Sequence, residues 1–379
     1  MATLSRILRG LPRYGKLSAG SSHTGYVDNI AMTDFEALLG KVVGGQDLSA
    51  DEAEAAIEQL IDGHRSDATV GLFLSALAFK GEAVSEVVGA ARALRRHMTP
   101  IRTSRPGLLD TCGTGGDASG TFNISTAAAL VIAAAGVPVA KHGNRRVTSR
   151  SGSADVLAAL GVNVEADVAV VERSLDELGI CFCFAPLLHG ALASVARVRR
   201  TLEMPTIFNL LGPLANPAGA AFQLLGVGKP ERRWLLAESL RELGIEHAFV
   251  VTGRDGLDEV TVAEATDAVE VGTGPLGTQV WTPEDFGLTR SSLEPVRIAD
   301  NQPTADGHSA PRQSAAIIRS VLDGQRGTAR DLVVINAAAG LLAAQAEVEP
   351  RLAAQRTAEA IDSGQARELL ARLVELTNN

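Results

Sequence analysis

Residues Asp110 to Ala154 read DTCGTGGDASGTFNISTAAALVIAAAGVPVAKHGNRRVTSRSGSA. The apolar run Leu108-Leu-Asp110 predicts a β-strand that ends in the glycine loop Gly113-Thr-Gly-Gly-Asp117. Gly120 then leads into Asn123-Ile-Ser-Thr126, which opens a long apolar helix. Glycines let a backbone approach a ligand closely, and a helix N-terminus offers unpaired amides with a partial positive charge. Strand, glycine loop and helix in that order suit a phosphate group.

The charge of this stretch points the same way. Between Ala118 and Ala154 there is no Asp or Glu, while Lys141, Arg145, Arg146 and Arg150 are cationic and His142 is close by. A 37-residue stretch at +4, in a chain of net charge −9, fits a site for a polyanion better than a solvated face. Two better-known phosphate loops fit less well. Gly113-x-Gly115-x-x-Ala118 matches a relaxed dinucleotide fingerprint, but the acid expected about 20 residues later is absent. A P-loop needs Gly-Lys-Ser/Thr, and Gly120 is followed by Thr-Phe. A purely structural glycine turn leaves the acid-free basic tract unexplained.

Outward from this segment, short apolar runs alternate with helical stretches: Val137–Ala140, Leu224–Val227, Ala248–Thr252 and Leu332–Asn336 each predict a strand. The fold class expected is therefore α/β with a mainly parallel central sheet, over residues 104–379. Residues 266–311 are polar and turn-rich, and accommodate antiparallel strands or loops. Upstream, residues 32–103 predict a small all-helical domain. Leu38, Leu39 and Val42 share a face, Ser49-Ala-Asp-Glu52 reads as a capping box, and amphipathic segments cover 67–80 and 85–97. Helices around 190–204 are expected to join this domain. Residues 1–31 carry Arg6, Arg9, Arg13 and Lys16 with no acid before Asp28. They read as a disordered extension, as a transit peptide, or as the product of a start placed ahead of Met32.

Composition narrows the function. Aromatics are 4% and hydrophobics 46% of 379 residues, so the core is expected to be built from Ala, Leu and Val. A net charge of −9 argues against a nucleic-acid partner. Cys112, Cys181 and Cys183 are odd in number and lack Cys-x-x-Cys spacing, which argues against a disulfide framework or a zinc site and suits the cytoplasm. The longest apolar run, Ala127–Ala140, is broken by Gly136 and Pro138 and is too short to cross a membrane.

Gly-Thr-Gly-Gly-Asp (113–117), Asn-Ile-Ser-Thr (123–126) and Lys-His-Gly-Asn-Arg (141–145) stand in an order and spacing that resemble the anthranilate phosphoribosyltransferase family. Val-Arg-Arg (198–200), Phe-Asn-Leu-Leu-Gly-Pro-Leu-Ala-Asn-Pro (208–217) and Asp-Gly-Leu-Asp-Glu (255–259) are similar to the same family's later motifs. The resemblance covers roughly residues 33–370. It implies a nucleoside phosphorylase/phosphoribosyltransferase-like fold, a homodimer, magnesium (Mg2+) as cofactor, and 5-phosphoribosyl 1-diphosphate and anthranilate as substrates in tryptophan synthesis.

The resemblance also implies roles. Gly113, Gly116, Asp117, Thr121, Asn123, Ile124, Ser125 and Thr126 would contact the phosphoribosyl donor. So would Lys141, His142, Gly143, Asn144, Arg145, Arg146, Val147, Thr148, Ser149 and Ser153. Ser125, Asp258 and Glu259 would hold the metal, and hard oxygen ligands of this kind suit magnesium. Asp258-Glu259 also follows a predicted strand, where ligands of α/β folds collect. Arg199 would pair with the anthranilate carboxylate, with Gly113, Asn144 and His189 beside it, and an arginine fork suits a carboxylate. Lys141, His142 and Arg199 are the catalytic candidates, His142 as acceptor of the amine proton. The acceptor region departs from the family pattern, with Gly190 in place of the usual Pro and Leu192 in place of Met or an aromatic residue. Two other readings remain: a same-fold transferase or phosphorylase with another aromatic or nucleobase acceptor, and a non-catalytic nucleic-acid-binding relative.

Overall fold

Ala, Leu and Val build a core that works by close approach rather than by large rings. The computed structural model describes residues 34–115, 119–145, 152–298 and 309–379. Four helices come first: α1 (Phe35–Val43), α2 (Ala50–Ile61), α3 (Asp67–Lys80) and α4 (Val84–His97). Ser49 and Glu52 form the expected capping box on α2, a device worth about 1 kcal/mol. Buried Glu86 accepts from the amides of Leu48 and Ala83 and pairs with Lys80, which ties the α1–α2 turn to the start of α4.

The rest of the chain is organised by one seven-stranded sheet. Its strands are β1 (Leu109–Gly113), β2 (Val139–Gly143), β3 (Ile180–Phe184), β4 (Phe222–Gly226), β5 (His247–Gly253), β6 (Thr266–Val271) and β7 (Gly277–Trp281). They lie in the order β3-β2-β1-β4-β5-β6-β7. The first five are mutually parallel, and β6 and β7 add antiparallel edges within the turn-rich segment. Between the strands run α5 (Ile124–Ala134), α6 (Ser153–Leu160), α7 (Val168–Leu178), α8 (Ala185–Leu188), α9 (Ala193–Leu202), α10 (Phe208–Leu211) and α11 (Arg233–Glu242). The C-terminal helices are α12 (Ala310–Leu322), α13 (Thr328–Ala343), α14 (Pro350–Asp362) and α15 (Gln365–Asn378). The chain steps from β1 outward to β2 and β3, then returns to β4 on the other side of β1. Loops after β1 and β4 therefore meet at the switch point, where open α/β sheets bind ligands.

Side chains alternate across the sheet. Leu109, Leu224, Phe249 and Val251 face one core with α5 and α13, while Leu225, Val227, Ala248 and Val250 face the helical domain and α11. Val195 and Val198 of α9 belong to that second core, and a side chain at Gly71 of α3 would touch Val198 and Leu202. A Cβ on Gly340 of α13 would lie 2.4 Å from Ile132 of α5, so the glycine lets these two helices close on each other.

Two sequence expectations need correction. Leu332–Asn336 is not a strand but the centre of α13. Its β-branched residues favour a strand locally, yet the apolar run continues through Ala343 and is buried on every side. Length and all-round burial make it a core helix. β3, by contrast, was not expected from the sequence: Ile-Cys-Phe-Cys-Phe is a fully buried strand next to β2. The 1–31 segment lies outside the described residues. Among the described residues no helix is long and apolar enough to cross a membrane.

Candidate active site

β1 delivers the glycine loop to the C-terminal edge of the sheet, and the loop after β5 comes to meet it. That second loop is tightly built. Gly253 donates to Leu257 O at 2.9 Å, and Thr261 donates to Asp255 at 2.5 Å. Behind it, buried Asn336 of α13 accepts from Val260 N at 2.9 Å and donates to Val260 O at 2.8 Å. These bonds hold Asp258 and Glu259 over the ends of β1 and β4.

Glycine makes that approach possible. A Cβ at Gly226 would sit 1.6 Å from the Asp258 carbonyl oxygen, and one at Gly113 would sit 2.7 Å from its Oδ2. Asp258 Oδ2 accepts from Gly115 N at 3.0 Å, and Glu259 Oε1 accepts from Ser125 N at 3.1 Å. The sequence suggested a loop and helix terminus with open amides. In the fold two of those amides already bond carboxylates. The loop and the acidic pair thus come together, with hard oxygens from Asp258, Glu259 and Ser125 grouped around the same backbone. Such a donor set fits a divalent cation shared with a diphosphate.

Side-chain alternation on β2 then splits the expected residues into two groups. Lys141 lies on the α5 side, buried, and donates to Thr111 O and to Ser125 Oγ, the latter at 3.2 Å. Burial pulls its ammonium below the usual lysine range, against the opposing pull of Asp110. His142 lies on the opposite face. Its Nδ1 meets Gly212 O at 2.9 Å and its Nε2 meets His189 Nε2 at 3.2 Å.

A carbonyl can only accept, so His142 carries its proton on Nδ1 and accepts through Nε2 from His189. Both nitrogens of His142 are engaged, which leaves no lone pair on it for an amine proton. Burial pushes the pKa of His142 down to about 4 and that of His189 to about 3, so both rings are neutral near pH 7.

A linkage prediction follows from these shifts. Each folded-state value lies below the ordinary 6.5, so the stabilisation is complete above pH 6.5 and is lost as pH falls toward 4. For His142 alone the loss by pH 4 is on the order of 3 kcal/mol. Urea unfolding at pH 7, 5.5 and 4.5 should show His189→Gln falling less steeply than the unmodified chain. Parallel curves would contradict the assignment.

Arg199, the main acceptor candidate, is tied to the segment that holds His142. Arg199 of α9 donates to Asn209 Oδ1 at 3.3 Å and stacks 5.4 Å over Phe208. Burial lowers its pKa, and no carboxylate among the described residues answers it. Gly212, from the same 206–216 segment, holds His142, so one stretch of chain supports both residues. Asn209, Gly212 and Asn336 were not among the residues expected from the sequence.

The remaining residues expected at the donor site stand after β1 and after β2. Thr121 bridges to Arg297, Asn123 N donates to Ser314 at 2.9 Å, and Thr126 bonds Asn123. Ile124 and Thr126 are buried in the first turn of α5. Gly143 abuts Ser153, since a Cβ there would lie 2.1 Å from the Ser153 hydroxyl. Asn144 accepts from Ala154 N through its backbone carbonyl. Arg145 turns away from the loop to pair with Asp155 at 3.4 Å and with Glu165 at 2.5 Å. Gly116, Asp117, Arg146, Val147, Thr148 and Ser149 lie outside the described residues.

Known proteins resemble this chain over most of its length. Residues 105–367 match the family described as "Glycosyl transferase family, a/b domain", and residues 36–98 match "Glycosyl transferase family, helical bundle domain". The anthranilate phosphoribosyltransferase of Anaeromyxobacter sp. is 50% identical over 345 residues, covering 90% of this chain and 98% of the relative. That of Rhodopirellula baltica is 48% identical over 341 residues, covering 90% and 97%. The crystal structure of the Thermus thermophilus enzyme superposes with a TM-score of 0.83 at 40% identity, covering 90% of this chain and 99% of that one. The Saccharomyces cerevisiae enzyme in complex with PRPP and Mg superposes at 0.80 with 26% identity, covering 92% and 99%. Matched by both family models and 48–50% identical to the Rhodopirellula and Anaeromyxobacter relatives over 90% of its length, the chain belongs to the anthranilate phosphoribosyltransferase family.

Proposed function

We propose that this chain transfers the phosphoribosyl group of 5-phosphoribosyl 1-diphosphate to the amino group of anthranilate. The products are N-(5-phosphoribosyl)anthranilate and diphosphate, in tryptophan biosynthesis. One observation carries the reading: the glycine loop with its acidic pair lies at the end of β1, and Arg199, which no carboxylate among the described residues answers, bonds the same 206–216 segment that holds His142 of β2.

In this reading the donor's diphosphate lies on the loop from Gly113 to Thr121 and the first turn of α5. Asn123 to Thr126 and the segment from Lys141 to Ser149, with Ser153, frame the ribose phosphate. Ser125, Asp258 and Glu259 hold magnesium, which when bound neutralises charge on the leaving diphosphate. Lys141, fixed beneath Ser125, adds a buried positive charge to the same side. The C1–O bond breaks with its electron pair going to diphosphate, and the amine lone pair forms the C1–N bond from the opposite face. Arg199 receives the anthranilate carboxylate and aims the amine, with Gly113, Asn144 and His189 beside it. An aromatic amine is already neutral at pH 7, so no strong base is needed, and its proton leaves to solvent.

We read residues 32–103 together with 190–204 as the helical lobe and 104–379 as the donor-binding lobe. Leu72 and Phe79, seven residues apart on α3, are 51% and 83% exposed, and we assign this apolar strip to the homodimer contact. Three free cysteines favour the cytoplasm.

The purified chain, given 5-phosphoribosyl 1-diphosphate, magnesium and anthranilate, is expected to consume anthranilate as followed by its fluorescence. Consumption of another aminobenzoate with anthranilate untouched would move the assignment to a different acceptor. Arg199→Ala is expected to raise the KM for anthranilate at least tenfold, because a charge-assisted bidentate pair is lost, while donor KM stays within about twofold. Equal losses for both substrates would remove Arg199 from the acceptor site.

A further inference from the structure

Among the described residues, two arginines have a guanidinium pushed below its usual range, Arg199 and Arg95, each by burial with no carboxylate in answer. Arg95 stands near the end of α4. Its neighbours in that helix are paired normally, Arg92 with Asp51 and Arg96 with Glu54 and Glu58. Arg95 instead donates to Leu214 O at 2.8 Å and reaches Leu243 O at 3.5 Å. These two carbonyls engage Nε and Nη1 and leave Nη2 without a partner among the described residues. A half-buried cation without an anion is an expensive arrangement unless something else supplies the charge.

Arg95 lines a cleft of about 250 Å3 with Met98, Leu214, Leu240, Leu243 and Glu246. The cleft also reaches Ala221 and Gln223 at the start of β4, so it opens at the sheet edge opposite the glycine loop. It is a separate place from the acceptor site. Its lining is part aliphatic (Leu214, Leu240, Leu243) and part polar (Asn216, Gln223, Glu246), and its volume falls below the range of drug-sized pockets, roughly 300–1,000 Å3. A planar guanidinium fork selects a carboxylate. Exposed Glu246 disfavours a second negative charge on the occupant.

We propose that this cleft binds a small monocarboxylate with a compact apolar body, with Arg95 as its anion anchor. Leu240 and Leu243 supply the apolar wall, and the two carbonyl bonds hold the arginine in place before the ligand arrives. The Leu214 carbonyl that Arg95 holds belongs to the same 206–216 segment that supports Arg199 and His142. An occupant held by Arg95 therefore sits one hydrogen bond from the segment behind the acceptor site. The proposal goes beyond the transferase reading and does not depend on it.

The test uses 4-methylpentanoate as probe and protein-observed NMR on the full chain. Arg199→Ala serves as background, so that the probe has no second buried arginine to meet. Saturable shifts of the Leu240 and Leu243 methyls are expected. Adding Arg95→Gln should weaken binding at least tenfold. Ala221→Leu, which narrows the cleft and leaves both Arg95 carbonyl bonds in place, should weaken it similarly and covers the case in which Arg95→Gln misfolds. Absence of saturable binding in the Arg199→Ala chain overturns the proposal. So does binding that survives Ala221→Leu, and so does inorganic sulfate binding as tightly as the probe.

Discussion

Changing Asp258 to Asn and Glu259 to Gln together is expected to lower turnover by at least about 10²–10³-fold while the fold persists. Removing one group that stabilises transition-state charge commonly costs that much, and here both carboxylates proposed to hold the metal would go. The loop itself should survive. In the folded chain Asp258 and Glu259 accept from the amides of Gly115 and Ser125, and the carbonyl oxygens of Asn and Gln can accept the same bonds. What the variant loses is negative charge: a neutral amide oxygen replaces each anionic carboxylate oxygen, and magnesium is held far more weakly. Circular dichroism should therefore match that of the unmodified chain while steady-state rates collapse across a magnesium titration. A double variant that kept half its turnover with unchanged magnesium dependence would falsify the placement of the metal.

Gly226→Ala should be the most damaging single change outside that pair. Its Cβ would lie 1.6 Å from the backbone oxygen of Asp258, and no rotamer change can relieve a clash with backbone. Overpacking typically costs about 1–3 kcal/mol, and this contact belongs at the upper end of that range. Relief requires the 253–261 loop to lift away from β1 and β4, carrying Asp258 and Glu259 with it. A displacement of roughly 1 Å in such a site can cost about 100-fold in rate. Gly40→Ala is the control, since its Cβ meets nothing within 4 Å and it lies inside α1. That change should leave stability unchanged or raise it by about 0.5–1 kcal/mol. Thermal melts and kcat/KM of the two variants decide the matter. Equal behaviour would show that the loop does not rest on β4 as described.

Much of this architecture can be read from local pattern. The strand, glycine loop and helix around Asp110–Ala154, the capping box at Ser49–Glu52 and the amphipathic helices before His97 each follow from residues close in the chain. The exceptions have physical causes. Leu-Val-Val-Ile-Asn has the composition of a buried strand, and only the apolar residues after it mark a helix enclosed on all sides. Ile180–Phe184 is too short and too uniformly apolar for periodicity to decide its state, and its place beside β2 settles it.

Within the site, glycines, basic residues and the acidic pair were visible by type and order, but their partners were not. Nothing near His142 announces that Gly212 will fix its tautomer, or that His189 will take its other nitrogen. Asn336 does leave a trace, as a lone amide in an apolar run, although its bonds to Val260 join segments far apart in sequence. The amides of Gly115 and Ser125 read as open from the sequence because the carboxylates that meet them come from a loop more than a hundred residues later.

In the proposed complex the donor's diphosphate lies between the β1 loop and the Asp258–Glu259 loop, with the acceptor carboxylate at Arg199. The most direct test is the crystal structure of this chain with 5-phosphoribosyl 1-diphosphate, magnesium and anthranilate. Diphosphate oxygens on the Gly113–Thr121 loop, magnesium on Asp258 and Glu259, and the anthranilate carboxylate on Arg199 are the expected result. Diphosphate bound away from that loop, or a carboxylate seated elsewhere than Arg199, would contradict it.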